Sequence, residues 1–507
     1  MVIEAAFVAV LAAALAGLVL SSAIERLMTP RPPVVRPWSA WALHGGLWLS
    51  AHAALTLVLG RPWFAAAAVS AFLLMLVLVN NAKFKALREP FVFPDYEYFT
   101  DAIRHPRLYI PFLGWGKFFI ATSGFVLAVA VGLWIEDAPL LRFAWSGQLG
   151  GIAVVFAGGA LLLLAGSWKT LPVSFEPVRD AHALGLLASL WRYAQEEGAP
   201  LAIASPFDFL SAGRPEGDLP HLVAVQSESF FDPRPLFAGI RPEVLAEFDR
   251  IRADAVALGK LKVPAWGANT VRTEFAFLTG IGEDKLGVHR FNPYRAIAAG
   301  GDVPSLASYL KRLGYRTVCI HPYPASFYQR DRVYPHLGFD EFLDVCAFDD
   351  TMRFGPYIGD AAVADKVAEL LRETTGPVFV FVITMENHGP LHLERVAPAD
   401  VDVLYSVPPP DGCDDLTIYL RHLRNADQMI AKLRQALDRC ERPASLCWFG
   451  DHVPIMPSVY ETFGAPNGEV EYVFWSNQNP ARPRSVDLVA NDLPMAWLRD
   501  IGLVELR

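Results

Sequence analysis

The run Phe449-Gly450-Asp451-His452 places two adjacent metal-ligand side chains directly after the apolar run Leu446, Cys447, Trp448, Phe449. Three other short apolar runs end in the same way: Leu222 to Val225 before Glu228, Val318 to Ile320 before His321, and Val378 to Ile383 before Glu386, Asn387 and His388. Four such endings predict parallel strands whose carboxyl ends converge, the place where open α/β sheets build their sites. Glu228, Asp451 and His452 together offer two carboxylates and an imidazole without a thiol. That set suits one hard or borderline divalent cation, Mn²⁺ or Mg²⁺, with Zn²⁺ a third option.

A fourth ligand is available in Gly267-Ala268-Asn269-Thr270-Val271-Arg272-Thr273-Glu274-Phe275. Its small-residue turn leads into helical apolar spacing at Phe275 and Leu278, which puts the Thr270 hydroxyl at or near a helix N-terminus. Orphan N–H groups and the helix dipole favour an incoming anion there. Alone, Thr270 reads as an N-cap. Beside a cation it becomes an activated nucleophile for a phosphoryl centre.

The elements that must position these residues occupy the second half of the chain. From His221 onward, strand-like runs alternate with helical patterns such as Val303 to Leu313, Gly359 to Glu373 and Tyr419 to Cys440, which predicts an α/β domain over 218–507. Before it, 169–217 reads as a connector containing a helix over 181–196 and a stretch rich in Pro, Gly and Ser.

The first 168 residues are of another kind. Of the 507 residues 53% are hydrophobic, and the excess sits before about residue 170 in stretches near 20 residues, enough to cross the ~30 Å hydrocarbon core. Spans are expected at roughly 2–21, 38–60, 62–80, 118–135 and 148–168. The first has no basic n-region and reads as a retained helix. Trp38, Trp41, Trp63, Trp134 and Trp168 fall near span ends, as interfacial anchoring favours. His44 and His52 lie inside the second span, packed between helices or near an interface rather than facing a polar cleft. Residues 81–117 mix Lys83, Lys85, Arg88, Arg104, Arg107 and Lys117 with Phe84, Phe91, Phe93, Tyr96, Tyr98, Phe99 and Tyr109 and read as a segment on the membrane surface.

Charge and cysteines exclude more than they identify. A net charge of −9 leaves no basic footprint for nucleic acid. Cys319 and Cys447 sit within apolar runs as small core residues, and no CxxC spacing occurs. Basic loops at 22–37 and 81–117 favour the cytoplasmic side and, with five spans, would put the C-terminal domain there too.

The ordered set Gln226-Ser227-Glu228-Ser229-Phe230, Asn269-Thr270 with Glu274-Phe275, Phe327-Tyr328-Gln329-Arg330-Asp331, Asn387-His388-Gly389-Pro390 and Gly450-Asp451-His452 resembles the lipoteichoic acid synthase and phosphoglycerol transferase family of the alkaline phosphatase and sulfatase superfamily. The resemblance spans roughly 220–460 by motif, and the multi-span half also looks like the family's membrane region. It implies an N-terminal α-helical transmembrane bundle of about five spans followed by an α/β sulfatase-like catalytic domain.

It further implies that Glu228, Asp451 and His452 hold the metal and that Thr270 is nucleophile and additional ligand. Tyr328 and Arg330 match the positions that hold the glycerophosphate group, and His388 a histidine near the leaving or entering oxygen. The family commonly has Trp where this chain has Tyr328. Arg330 suits a phosphate through its bidentate fork, with a surface pair to Asp331 as the structural alternative. His388 suits proton transfer. His321 is divided evenly between the site and a local turn, and Arg272 between a phosphate contact and, preferred, a surface position.

The implied reaction moves glycerol phosphate from phosphatidylglycerol to a glycan, glycolipid or polyglycerolphosphate hydroxyl, in a multi-pass cytoplasmic-membrane protein whose catalytic domain is extracytoplasmic, against the charge count. The alternatives are phosphoethanolamine transfer or phosphate or sulfate ester hydrolysis by the same superfamily, and a non-catalytic membrane receptor or scaffold.

Overall fold

The computed structural model describes residues 2–96, 115–136, 145–168, 171–201, 204–210, 218–478 and 482–504. The chain divides into two compact units, Met1–Ala199 and Pro200–Arg507. The division falls inside the stretch read as a connector, whose helices Pro177–Leu184 and Leu186–Glu196 belong to the first unit.

In the first unit, long helices run over Val2–Glu25, Trp38–Leu59, Pro62–Leu87, Trp115–Ile135 and Trp145–Trp168. Among the described residues, Ile3–Glu25, Trp38–Leu59, Pro62–Leu87 and Trp145–Trp168 meet the length and apolarity needed to cross a membrane. They bury small residues and expose large ones. Gly46 approaches the opposite backbone so closely that an added Cβ would lie 2.8 Å from the Leu163 nitrogen and 2.9 Å from the Gly159 oxygen, the close helix contact that small residues allow in lipid. Leu15, Val19, Val58, Leu78, Leu161 and Leu164 are exposed, as lipid-facing residues would be.

Both histidines of the second helix are buried between helices. The His44 Nε2 lies 2.9 Å from the Ser21 hydroxyl and its Nδ1 3.3 Å from Glu25, while His52 stacks on Trp48. Glu25 also takes Arg36 at 2.7 Å, with both side chains buried. Residues 81–87 continue the Pro62–Leu87 helix. Lys83 is held by Glu89 and Asp95, each at 2.7 Å, and 97–114 lie outside the described residues.

The second unit is built on a nine-stranded sheet among the described residues. The strands are β1 His221–Ser227, β2 Ala257–Lys262, β3 Arg316–Ile320, β4 Glu341–Leu343, β7 Val378–Ile383, β8 Ala444–Gly450, β9 Val470–Ser476, β10 Arg484–Ser485 and β11 Leu488–Val489. A separate hairpin pairs β5 Arg353–Phe354 with β6 Tyr357–Ile358. The sheet order is β10-β2-β9-β8-β1-β7-β3-β4, with β11 also on β2. The run β8-β1-β7-β3-β4 is parallel, and β9 is antiparallel to its neighbours.

The four runs singled out by their endings are thus four adjacent parallel strands. β1, β7 and β8 are buried along their whole length, as continuous apolar runs in a sheet covered on both faces require. Cys319 and Cys447 are buried free thiols in this core.

Register decides where chemistry falls. Ser227 pairs with Gly450, so Glu228 and Asp451 leave their strands at the same level. Gly450 has no room for a side chain: an added Cβ would lie 2.1 Å from the Phe230 carbonyl oxygen. Gly450→Ala must therefore move backbone beside Asp451. The expected result is a loss of about 1–3 kcal/mol in unfolding experiments, together with weaker Mn²⁺-induced stabilisation.

Candidate functional site

Glu228, Asp451 and His452 are buried, and one ligand atom from each lies within 4.8 Å of the others. The His452 Nε2 stands 3.4 Å from Asp451 Oδ2 and 3.6 Å from Glu228 Oε1. Its Nδ1 lies 3.2 Å from the Val453 carbonyl oxygen, which fixes the proton there and leaves Nε2 as the lone-pair nitrogen facing the carboxylates.

Ser229, in a left-handed conformation (φ 51°), orients both acids. Its hydroxyl donates to Glu228 Oε1 at 2.9 Å and its N–H to Asp451 Oδ1 at 2.8 Å. Asp451 Oδ2 is buried without a hydrogen-bond partner. Burial, and then the Asp451 charge, raise the Glu228 carboxyl to about 8. Two dehydrated carboxylates, an orphaned acceptor and an imidazole lone pair form the donor set of a divalent cation.

Thr270 opens the helix Thr270–Thr279, behind Asn269 in the left-handed region (φ 66°), whose side chain makes no capping hydrogen bond. The N-cap position is thus Asn269, and Thr270 is the first helical residue. Two bonds moor this helix to the ligand-bearing strands. The Gln226 amide donates to the Thr270 carbonyl at 3.4 Å, and the Thr273 hydroxyl to the Asp451 carbonyl at 2.9 Å.

Arg330 is buried rather than on the surface. Its Nε donates to Glu274 at 3.2 Å, its Nη2 to the other Glu274 oxygen, and its Nη1 to His321 Nε2 at 3.2 Å. The Asp331 pair does not form; that carboxylate accepts from the Arg332 N–H. Glu274 also accepts from Tyr294 at 2.9 Å and Tyr334 at 2.8 Å.

His321 belongs to this cluster. Its Nδ1 donates to the Ile383 carbonyl at 3.1 Å, so Nε2 accepts from Arg330. Burial first, then the Arg330 charge, hold its pKa well below the usual histidine range. Glu274 has no role in the sequence reading, although its place four residues after Thr270 puts both on one helix face.

Tyr328 and Gln329 are both left-handed, at φ 56° and 54°. The Tyr328 ring lies 4.3 Å from Phe327 and 5.2 Å from the Arg330 guanidinium, centroid distances in each case. His388 is half-buried, its Nδ1 2.6 Å from the Gly389 carbonyl and 3.4 Å from the Tyr357 hydroxyl. Burial lowers its pKa. Arg272 is buried too, which corrects the preferred surface position. Its Nε donates to the Phe291 carbonyl at 3.4 Å and its guanidinium lies 5.3 Å from the Phe291 ring.

Residues 220–499, more than half of the chain, match the sulfatase family. The chain belongs to that family. This sulfatase-family chain is 30% identical over 431 residues to the capsular polysaccharide biosynthesis protein RkpI of Rhizobium meliloti, covering 80% of this chain and 76% of that protein. It is 29% identical over 84 residues to lipoteichoic acid synthase 1 of Bacillus subtilis, 16% of this chain and 13% of that one.

The integral membrane lipooligosaccharide phosphoethanolamine transferase A of Neisseria meningitidis shares its fold. The TM-score is 0.54 at 13% identity, over 91% of this chain and 88% of that chain. With the sulfatase match over residues 220–499 and the apolar helices before it, the protein is a membrane enzyme of the alkaline phosphatase and sulfatase superfamily.

Beyond β7, the sulfatase-family domain carries a second buried polar cluster that the sequence did not reveal. Glu386 accepts from the Asp360 N–H at 2.7 Å and from His422 Nδ1 at 3.0 Å, and His422 Nε2 meets Glu394 at 2.9 Å. Glu386 therefore belongs to a charge network of its own. Burial opposes the imidazolium, but the hydrogen bonds to Glu386 and Glu394 outweigh it and raise His422 to about 9.

Two outcomes test these clusters. Glu274→Gln keeps the shape but leaves Arg330 a buried cation without its carboxylate, at a cost of about 3–5 kcal/mol in unfolding; Glu274→Gln combined with Arg330→Met should recover much of it. His422 faces Glu386, Glu394 and the neighbouring Asp360 carboxyl. Because its folded pKa lies above the unfolded value near 6.5, its contribution is full below that pH and disappears as pH rises through about 9. His422→Gln should melt several degrees below wild type at pH 6, with the gap closing toward pH 10.

Proposed function

We propose that this enzyme transfers glycerol phosphate from phosphatidylglycerol to a glycan hydroxyl through a phosphoglyceryl-threonine intermediate, on the extracytoplasmic side of the cytoplasmic membrane. The observation that carries the proposal is the mooring of Thr270. The first residue of the helix Thr270–Thr279 is tied through Gln226 and Thr273 to the two strand ends that bear Glu228 and Asp451.

The Thr270 oxygen attacks the lipid phosphorus, the bond to the diacylglycerol oxygen breaks, and diacylglycerol leaves with a proton. An acceptor hydroxyl then attacks the same phosphorus and releases Thr270. Helix N-terminal N–H groups receive the phosphoryl oxygens. A divalent ion held by Glu228, Asp451 and His452 would supply Lewis-acid stabilisation of the ionised oxygens.

Arg330 adds a fixed positive charge rather than a free fork, since Glu274 occupies two of its nitrogens. Tyr328 forms the aromatic wall over it. His388, neutral because burial lowers its pKa, is suited to accept the acceptor's proton. Membrane helices in the same chain as the catalytic unit suit a lipid donor, and the names of the two relatives, a capsular polysaccharide protein and a lipoteichoic acid synthase, agree with a glycan acceptor and a glycerol phosphate donor group.

The test is diacylglycerol release from headgroup-labelled phosphatidylglycerol by the purified full-length protein with Mn²⁺. Wild type should release it and chelation should stop it. Thr270→Ala should lower the rate by about 10³-fold or more. Turnover of phosphatidylethanolamine or of a soluble phosphate ester instead would move the assignment within the superfamily.

A further inference from the structure

A cavity of about 590 Å³ opens on the catalytic unit between the turn Asp350–Met352, the β5–β6 hairpin, the helix Asp360–Glu373 and the helix Asp414–Asp438. Its volume lies within the range of small-ligand sites. The charged residues around it balance: Arg353, Lys366 and Arg372 against Asp365, Glu369 and Glu386.

Several of these charges already have partners in the protein. Lys366 meets Glu369 at 2.6 Å, Asp365 meets Lys432 at 2.9 Å, and Arg353 meets Asp350 at 2.9 Å. A cavity of this kind offers little net field to an anion or cation. It does offer hydrogen-bonding edges, including Asn425 and Gln428, and apolar faces in Met352 and Phe354, both more than 40% exposed. Rings with polar rims and apolar faces match that lining: neutral sugars.

The cavity is joined to the catalytic residues by two short paths. Glu386 contributes to its wall and stands two residues before His388, so their Cα atoms are at most about 7 Å apart. The hairpin spans the other path. Phe354 on β5 lines the cavity and meets His422 edge-on at 5.5 Å, and Tyr357 on β6 places its hydroxyl 3.4 Å from His388. Gly355 (φ 66°) turns the chain between them, with an added Cβ placed 3.0 Å from Glu394 and 3.3 Å from His422. The charge network therefore fixes the hairpin, whose Phe354 faces the cavity and whose Tyr357 faces the histidine.

We propose that this cavity binds the neutral sugar chain of the acceptor and directs its terminal hydroxyl toward His388. This rests on the phosphoglycerol transfer reading and names where the acceptor is held.

The experiment titrates Mn²⁺-loaded full-length protein in detergent with a neutral β-glucan oligosaccharide by calorimetry. Wild type should bind it. Gln428→Trp, which fills the cavity from an exposed position of the helix Asp414–Asp438, should weaken binding by tenfold or more with an unchanged melting temperature. Thr270→Ala should bind as wild type does. Should Gln428→Trp lower the melting temperature, Phe354→Ala is read in its place, with the same loss expected.

Equal affinity in wild type and cavity variant, no binding by wild type, or binding of sn-glycerol-1-phosphate there in preference to the glucan would each overturn the proposal. Failure of the donor reading is distinct. It would appear as absent Thr270-dependent diacylglycerol release while glucan binding and its loss in the cavity variants persist.

Discussion

Two carboxylates buried side by side are the constraint around which the catalytic unit is organised. Glu228 and Asp451 leave adjacent parallel strands in register, within a core that excludes water. Like charges this close and this dry cannot both ionise unaided, and the rise of Glu228 to about 8 expresses that cost. A divalent cation removes it, and the same cation would favour ionisation of a hydroxyl brought beside it. The need of the protein for a counter-ion and the need of the reaction for a Lewis acid have one solution.

The surrounding polar interior keeps its charges in separate compartments. Arg330 and Glu274 neutralise each other, with two tyrosines and a neutral histidine taking the remaining bonds. Glu386, His422 and Glu394 form a second set, continued through Arg421. Buried pairs of this kind contribute little net stability, but losing one partner is costly. Each set therefore fixes geometry. The first holds Arg330 behind Tyr328, and the second holds the segment Glu386 to His388 and the hairpin that faces it.

Strand identity was legible in the sequence because a sheet covered on both faces demands continuous apolar runs, and ligand-type residues immediately after them mark the carboxyl ends. Glu228, His321, Glu386 and Asp451 were therefore placed at strand ends before any contact was known. Their division among three clusters was not legible. Glu386 lies a little further past its strand end than Glu228 and Asp451 do past theirs, and it is drawn away by His422, which lies 36 residues further along the chain on another element. Glu274 was quoted within a motif but had no role, because its partner Arg330 is 56 residues distant. Arg272 and Arg330 were open to a surface reading because sequence gives no burial for a lone arginine.

The same limit applies to the membrane half. Helices were evident from apolar length, but the charge count treated every base as exposed and unpaired. Arg36 is enclosed with Glu25 and His44, and Lys83 with Glu89 and Asp95. A base bound to a buried acid inside a folded helical unit presents no net charge to its surroundings, and loss of either partner leaves the other buried and unpaired. Part of the apparent positive loop charge is thus internal ion pairing: Arg36 ties the segment before its helix to Glu25 at the end of the helix before it, and Lys83 ties its helix to Glu89 and Asp95 in the segment that follows.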